Sequence, residues 1–90
     1  MKDHKDKSLI ALKKARGMLD KIIKMSEEKE YCIDIMQQNL AVIGLLRSAH
    51  ESLMEGHLKS CFKNAMQSKN EKLKKQMTEE ILKVTKLYNK

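Results

Sequence analysis

Apolar residues recur every three or four positions along most of this chain, which is the spacing of one face of an α-helix. The first such series is Leu9, Leu12, Ala15, Leu19, Ile22 and Ile23. The face opposite to it carries Lys13, Lys14, Lys21 and Lys24. The pattern therefore predicts a first helix over residues 4–25, with one apolar side and one basic side.

A second helix is predicted from a cap at Ser26 to about Met66. Glu27 and Glu28 suit the first turn of a helix, and no convincing helix breaker follows them. At 1.5 Å per residue, such a helix of roughly 36 residues would be about 54 Å long. Because this length exceeds what a compact three-helix monomer needs, we expect the helix to pair with a second chain.

A third helix is predicted after the polar stretch "SKNE" (68–71), in which Ser68 and Glu71 match the spacing of a capping box. Its apolar stripe consists of Leu73, Met77, Ile81, Val84 and Tyr88. These three segments predict an all-α fold with three helices and a long central helix. We expect residues 1–90 to form a single helical domain.

The composition supports a helical chain with a thin core. The 90 residues include no Pro and three Gly, and 3% of them are aromatic. A short chain with few large side chains buries little apolar surface, so oligomerisation is a common source of additional stability. The formal net charge of +7 suits a polyanionic partner such as DNA, RNA or an anionic membrane surface.

No apolar run approaches the length of a transmembrane helix. The first residues, "MKDHKDK", are not followed by the apolar run of a secretory signal. We therefore expect a cytoplasmic protein. In that compartment two cysteines more often bind metals or undergo redox reactions than form a structural disulfide.

The stretch "HLKSC" places His57 and Cys61 four residues apart, which is a metal-ligand spacing on a helix. Two side chains do not complete a metal site, and the other cysteine is Cys32. Cys32 and His57 are 25 positions apart and share one helix face. Along a single helix, however, they would lie about 37 Å from each other.

Two antiparallel copies of the second helix would solve this problem. A two-fold axis near residues 45–46 would bring Cys32 level with His57 and Cys61 of the partner subunit, at two equivalent sites. Two thiolates and one imidazole favour Cu(I), because zinc prefers four ligands. The alternative is structural, since a cysteine on an apolar helix face is most often a small core residue.

The segment "YCIDIMQQNLAVIGLLRSAHESLMEGHLKSC" (31–61) resembles the CsoR/RcnR family of bacterial metal-sensing transcriptional repressors. The family pattern has a Cys early in a long second helix and a His and a Cys one turn apart near its end. The resemblance implies an antiparallel dimer that assembles into a dimer of dimers, without a helix-turn-helix. It also implies a cytosolic repressor that releases operator DNA when its inducer binds. Cys32, His57 and Cys61 match the copper(I) branch.

Other branches of the family fit less well. The nickel and cobalt branch ends its ligand set with a His, where this chain has Cys61, although His4 keeps that branch open. The formaldehyde branch relies on a Pro where this chain has Lys2. The persulfide-sensing branch keeps two cysteines but lacks the His that is present here as His57.

The resemblance also assigns supporting residues. A Tyr and a downstream Glu surround the metal-bound His in the family, and Tyr31 and either Glu79 or Glu80 would take these roles here. In "ALKKARGM" (11–18) the chain departs from the usual first helix, because Ala11 and Met18 replace an Arg and a Gln. The residues that could supply a DNA-binding surface instead are Lys13, Lys14, Arg16 and Arg47.

The main interpretation is a copper(I)-responsive repressor that binds operator DNA as a homodimer or homotetramer. A second possibility is a persulfide- or redox-responsive repressor that uses Cys32 and the partner's Cys61. A third is a copper-binding protein that does not bind DNA. An enzyme is not expected, because no third group that could orient a Cys–His pair occurs at a recognisable spacing.

Overall fold

The computed structural model describes residues 4–90, and every element in this range is helical. The elements are α1 (His4–Glu27), α2 (Cys32–His57), a π-helical segment (Leu58–Phe62), α3 (Lys63–Gln67) and α4 (Glu71–Tyr88). No turn separates α2, the π-helical segment and α3, so the described chain has three helical stretches. The predicted all-α class is thus confirmed. Within residues 4–90, no helix is both long and apolar enough to cross a membrane.

The first helix has nearly its predicted bounds, but the predicted cap at Ser26 is wrong. Ser26 lies in the last turn of α1, and its carbonyl accepts a hydrogen bond from the Lys29 amide at 3.1 Å. The Glu30 amide donates to the Met25 carbonyl at 3.0 Å. This pair of bonds is a Schellman motif, which requires a left-handed residue, and Lys29 adopts a φ of 56°. The second helix therefore starts later, at Cys32.

Lys29→Gly is expected to stabilise the chain. A non-glycine residue in the left-handed region costs roughly 1–2 kcal/mol, which glycine would avoid. Part of this gain in stability is lost because glycine has greater conformational freedom in the unfolded chain. A net gain of about 0.5–1 kcal/mol should raise the Tm by roughly 2–6 °C. Thermal unfolding followed by circular dichroism measures this. Lys29→Ala, which retains the strain, is the control, and an equal rise in its Tm would contradict the explanation.

The described residues divide into two compact units, whose boundary lies between Gly56 and His57. The single domain over residues 1–90 stays a prediction. In the first unit, α1 and α2 pack through a core of Ala15, Ile22 and Val42, against which Met18, Ile35 and Leu45 are partly buried. No large side chain is fully buried among the described residues. The core is accordingly thin, as the composition predicts.

The buried face of α1 matches the predicted stripe only in part, at Ala15 and Ile22. The buried positions are Ser8, Ala11, Ala15, Ile22 and Met25. They follow a spacing of three and four residues that continues through small side chains, and sequence hydrophobicity underestimates such a face. Four members of the predicted stripe are instead 42–55% exposed, namely Leu9, Leu12, Leu19 and Ile23. The first helix therefore has a second apolar face that its own chain leaves exposed.

In the second unit, α3 packs against α4, and Ala65 is buried. The predicted capping box is wrong, because the cap of α4 is Asn70, whose Oδ1 accepts from the Leu73 amide at 3.0 Å. Ser68 instead closes the preceding helix, since its hydroxyl donates to the Ala65 carbonyl at 2.6 Å. On α4 the start of the predicted stripe is half-buried, whereas Val84 and Tyr88 at its end are exposed.

Candidate metal centre

Cys32 is the first residue of α2, and its thiol is free and exposed. The position of the helix start is fixed by Tyr31, whose carbonyl accepts hydrogen bonds from the Asp34 amide at 3.0 Å and the Ile35 amide at 3.3 Å. The Tyr31 side chain is 68% exposed. Both groups can therefore be reached by a ligand or by another chain.

His57 and Cys61 lie on either side of a change in helix type. His57 is half-buried and ends α2, whereas Cys61 lies inside the π-helical segment, with a free and exposed thiol. The Ser60 hydroxyl donates to the Cys61 Sγ at 3.8 Å. The predicted helix does continue through "HLKSC", but residues 58–62 form a π-helix, in which hydrogen bonds join residues five apart. Single π-helical turns are rare and occur frequently at functional sites.

No three His, Cys, Asp or Glu side chains of one chain lie together as a metal site within residues 4–90. The predicted set takes Cys32 from one chain and His57 and Cys61 from another, so it stays a prediction. Its donor chemistry fits a soft ion. Two free thiols and an imidazole can supply two thiolates and one nitrogen, and thiolates select Cu(I).

The residues predicted to support the metal-bound imidazole lie at the surface. Glu79 and Glu80 are exposed on α4, in the second unit, and Tyr31 is in the first. Their role stays a prediction. Lys2 and the side chain of His4, which were used to compare branches of the family, lie outside the described part of the chain.

The predicted DNA-contacting residues Lys13, Lys14, Arg16 and Arg47 are all exposed. The basic charge is concentrated on α1, which has seven Lys or Arg and three Asp or Glu, a net charge of +4. By the same count α2 has one Arg and three acidic residues, a net charge of −2. A surface that attracts phosphates is therefore a property of α1, whereas Arg47 is a single exposed cation on α2.

An all-helical chain with soft metal donors and a basic first helix is typical of metal-responsive regulators that bind nucleic acid. The family model described as metal-sensitive transcriptional repressor matches residues 4–86 of this chain. The chain belongs to this family. The resemblance to the CsoR/RcnR repressors is thereby confirmed, and such regulators are not enzymes, in agreement with the prediction.

The curated relatives are copper sensors by name. The copper-sensing transcriptional repressor CsoR of Mycobacterium ulcerans (strain Agy99) is 44% identical over 64 residues, which are 71% of this chain and 55% of that protein. CsoR of Mycobacterium bovis (strain BCG / Pasteur 1173P2) is 41% identical over 59 residues, 66% of this chain and 50% of that protein. The copper-sensing transcriptional repressor RicR of Mycobacterium tuberculosis (strain ATCC 25618 / H37Rv) is 37% identical over 62 residues, 69% of this chain and 65% of that protein.

The chain thus spans between one half and two thirds of the length of these curated relatives. A comparison with solved structures gives no significant match.

Proposed function

We propose that this protein is a copper(I)-responsive transcriptional repressor of the cytoplasm. In this proposal the copper-free protein binds operator DNA and releases it when Cu(I) binds Cys32 of one subunit with His57 and Cys61 of the partner subunit. The observation that carries the proposal is the donor set. Two free, exposed thiols and a half-buried imidazole occur in a chain whose relatives are named as copper sensors.

Exposed apolar side chains on α2 support the antiparallel dimer that this site requires. They are Ile33, Met36, Leu40, Ile43, Leu46 and Leu53, each at least 41% exposed. At 100° per residue, Cys32, Met36 and Ile43 lie about 120° around the helix from the face that packs on α1. A second copy of the chain would cover this surface, at a gain of roughly 25 cal/mol for each Å² of apolar area removed from water. The exposed leucines of α1 would remain for the assembly of a dimer of dimers.

In this mechanism Cu(I) would join the two subunits through their thiolates and imidazole. Cys32 would anchor the ion at the start of α2, and Cys61 would do so within the π-helical segment of the partner subunit. The imidazole of His57 would be oriented by Tyr31 and by Glu79 or Glu80, because groups that hydrogen-bond a metal ligand fix its position.

The basic surface of α1 would supply the attraction to DNA. Lys13, Lys14 and Arg16 would neutralise phosphates, while contacts with base edges would determine sequence preference. DNA and copper would be reciprocally coupled. If copper binding lowers the affinity for DNA by some factor, DNA binding must lower the affinity for copper by the same factor.

Two alternatives lead to different experimental results. A sulfur-responsive repressor would use Cys32 and the partner's Cys61 and would not need His57. A copper-binding protein without an operator would bind Cu(I) but no DNA. The replacement of the family's usual Arg and Gln by Ala11 and Met18 in the first helix is the observation that favours this alternative.

A titration of native DNA tests the proposal. The DNA upstream of the gene's own operon should bind the copper-free protein under anaerobic, reducing conditions. Binding should be lost as Cu(I) is added, with an end point at one ion per chain. Fluorescence anisotropy of labelled DNA measures both steps. Tight Cu(I) binding with no affinity for this DNA at low salt would instead support the copper-binding alternative.

The contribution of α1 is expected to appear in the salt dependence. Replacing Lys13, Lys14 and Arg16 together with alanine should reduce the slope of log K against log salt by up to about 3 for each subunit that contacts the DNA, since each phosphate contact adds roughly 0.9. Copper affinity should not change. The matched control replaces Lys72, Lys75 and Lys83, which are exposed on α4 and carry the same total charge. An equal reduction in the control would mean that net charge, rather than α1, is responsible.

A further inference from the structure

Met36 is a soft sulfur donor that the ligand set above does not use. It follows Cys32 by four residues and lies in α2. Its side chain is 56% exposed, and no other methionine within residues 4–90 is exposed. The remaining described methionines are buried or half-buried, which agrees with the usual role of this residue in filling irregular gaps in a core.

The helix geometry brings the two sulfur-bearing side chains together on one face. Because α2 is a regular α-helix from Cys32 onward, residues 32 and 36 are neighbours on its surface, with Cβ atoms about 5–6 Å apart. Long side chains on a helix lean toward its N-terminus, so a residue covers the turn that precedes it. Met36 therefore covers the turn that carries the Cys32 thiol.

We propose that Cys32 and Met36 form a soft-donor pair in which the Met36 thioether takes part in binding Cu(I). This inference rests on the proposed function, since it concerns the same ion. Thioethers, like thiolates, select Cu(I) over harder ions. A thioether also carries no proton, so Met36 is available as a donor at any pH, whereas Cys32 must release its proton to the solvent.

The pair has a consequence for the order of binding. The donors Cys32 and Met36 belong to one subunit, whereas His57 and Cys61 come from the partner subunit. Cu(I) can thus be held by two sulfur atoms of a single chain before the donors of the partner close around it. Met36 would contribute to capture and affinity, while His57 would contribute to the response.

The competing interpretation is that Met36 is only an apolar residue of the dimer interface. A substitution with leucine distinguishes the two interpretations of Met36. Met and Leu have similar volumes and exchange at a cost below about 1.5 kcal/mol, but leucine has no sulfur. Met36→Leu should therefore retain helicity and association while losing the thioether. Met18→Leu is the matched control, since Met18 is partly buried against the α1–α2 core.

The test uses the full chain with ¹³C-labelled methionine methyl groups and Ag(I), a diamagnetic soft ion of the same charge as Cu(I). One equivalent of Ag(I) should shift the Met36 methyl resonance and leave that of Met18 in place, and Cys32→Ser should abolish the shift. Competition for Cu(I) should show that Met36→Leu weakens binding roughly tenfold, the lower end of the effect of groups that support a metal site. Met18→Leu should bind as the native chain does.

The outcomes separate this inference from the proposed function. Suppose that Ag(I) and Cu(I), each tested alone, bind the native chain at one ion per chain through Cys32, but the Met36 methyl resonance does not shift. The proposed Cys32–Met36 pair would then be wrong, and the copper site would stand. A Met36→Leu variant with native Cu(I) affinity would also overturn the pair. If Cys32→Ser binds Cu(I) as tightly as the native chain does, the proposed site itself is wrong.

Discussion

Replacing His57 with alanine is expected to leave tight Cu(I) binding but to abolish the release of DNA by Cu(I). Two thiolates remain in this variant, one from Cys32 and one from the partner's Cys61, and thiolates are the donors that Cu(I) prefers. The imidazole has a different role in the proposed site. It alone would connect the ion to hydrogen-bonding groups elsewhere in the fold, namely Tyr31 before α2 and a Glu of α4.

The measurement pairs operator affinity, with and without Cu(I), with a competition assay for the ion. Cys32→Ala and Cys61→Ala are the controls and should lose both copper affinity and copper-driven release. Full release of DNA from His57→Ala would show that the imidazole does not couple the two sites. Release by persulfides but not by copper, in the variant and the native protein alike, would establish the sulfur-responsive repressor.

Replacing Ile43 with glutamate is expected to dissociate the dimer without unfolding the chain. Ile43 is 41% exposed, so its side chain contributes little to the packing of α1 on α2. It lies next to the proposed two-fold axis, where the Ile43 side chains of both subunits would be buried. Loss of two apolar contacts, each worth about 1 kcal/mol for the exposed part of the side chain, should weaken association by roughly thirtyfold. Burial of the two carboxylates would add to this effect.

Sedimentation velocity over a range of concentrations measures the association, and circular dichroism reports helicity. Gln37→Glu is the matched control, because Gln37 is exposed in the same helix and receives the same charge on a different face. Ile43→Glu should also lose high-affinity Cu(I) binding, since each site needs donors from both subunits. A monomeric native protein, or an Ile43→Glu dimer of native affinity, would contradict the proposed interface.

The helices could be predicted from the sequence because their signals are local and repeated. The apolar periodicity and the absence of proline indicated three helical stretches, and α1 ends within two residues of its predicted bound. The start of α2 could not be found in this way. The turn depends on Lys29 in a left-handed conformation that usually belongs to glycine, so the residue type gave no signal.

The packing face of α1 was predicted only in part, at Ala15 and Ile22, for a related reason. Ala11 and Ala15 contribute little hydrophobicity, yet their small size allows α1 and α2 to approach, whereas the larger Leu9 and Leu12 face away. At the cap of α4, Ser68 and Asn70 are both good capping residues, and only the backbone conformation selects Asn70. The π-helical segment has no sequence signature, because the same residues are compatible with an α-helix.

The candidate metal donors were identifiable because cysteine is scarce in this chain. With two cysteines, the combinations that can include both together with a histidine are few. The relation of these donors to one another could not be predicted from one chain, since it depends on a second copy. The sequence gives no signal for Met36 as a donor, because methionine in a helix usually indicates core packing rather than metal binding.

Among the described residues no large side chain is fully buried, which makes the stability of this protein depend on its own abundance. If a second copy supplies much of the apolar burial, unfolding and dissociation are one process, and the folded fraction rises with the amount of protein present. A cell that makes few copies would hold mostly isolated chains, which proteases remove fastest. The regulator would then act only above a threshold dose, so the number of copies made would itself limit how firmly its target is silenced.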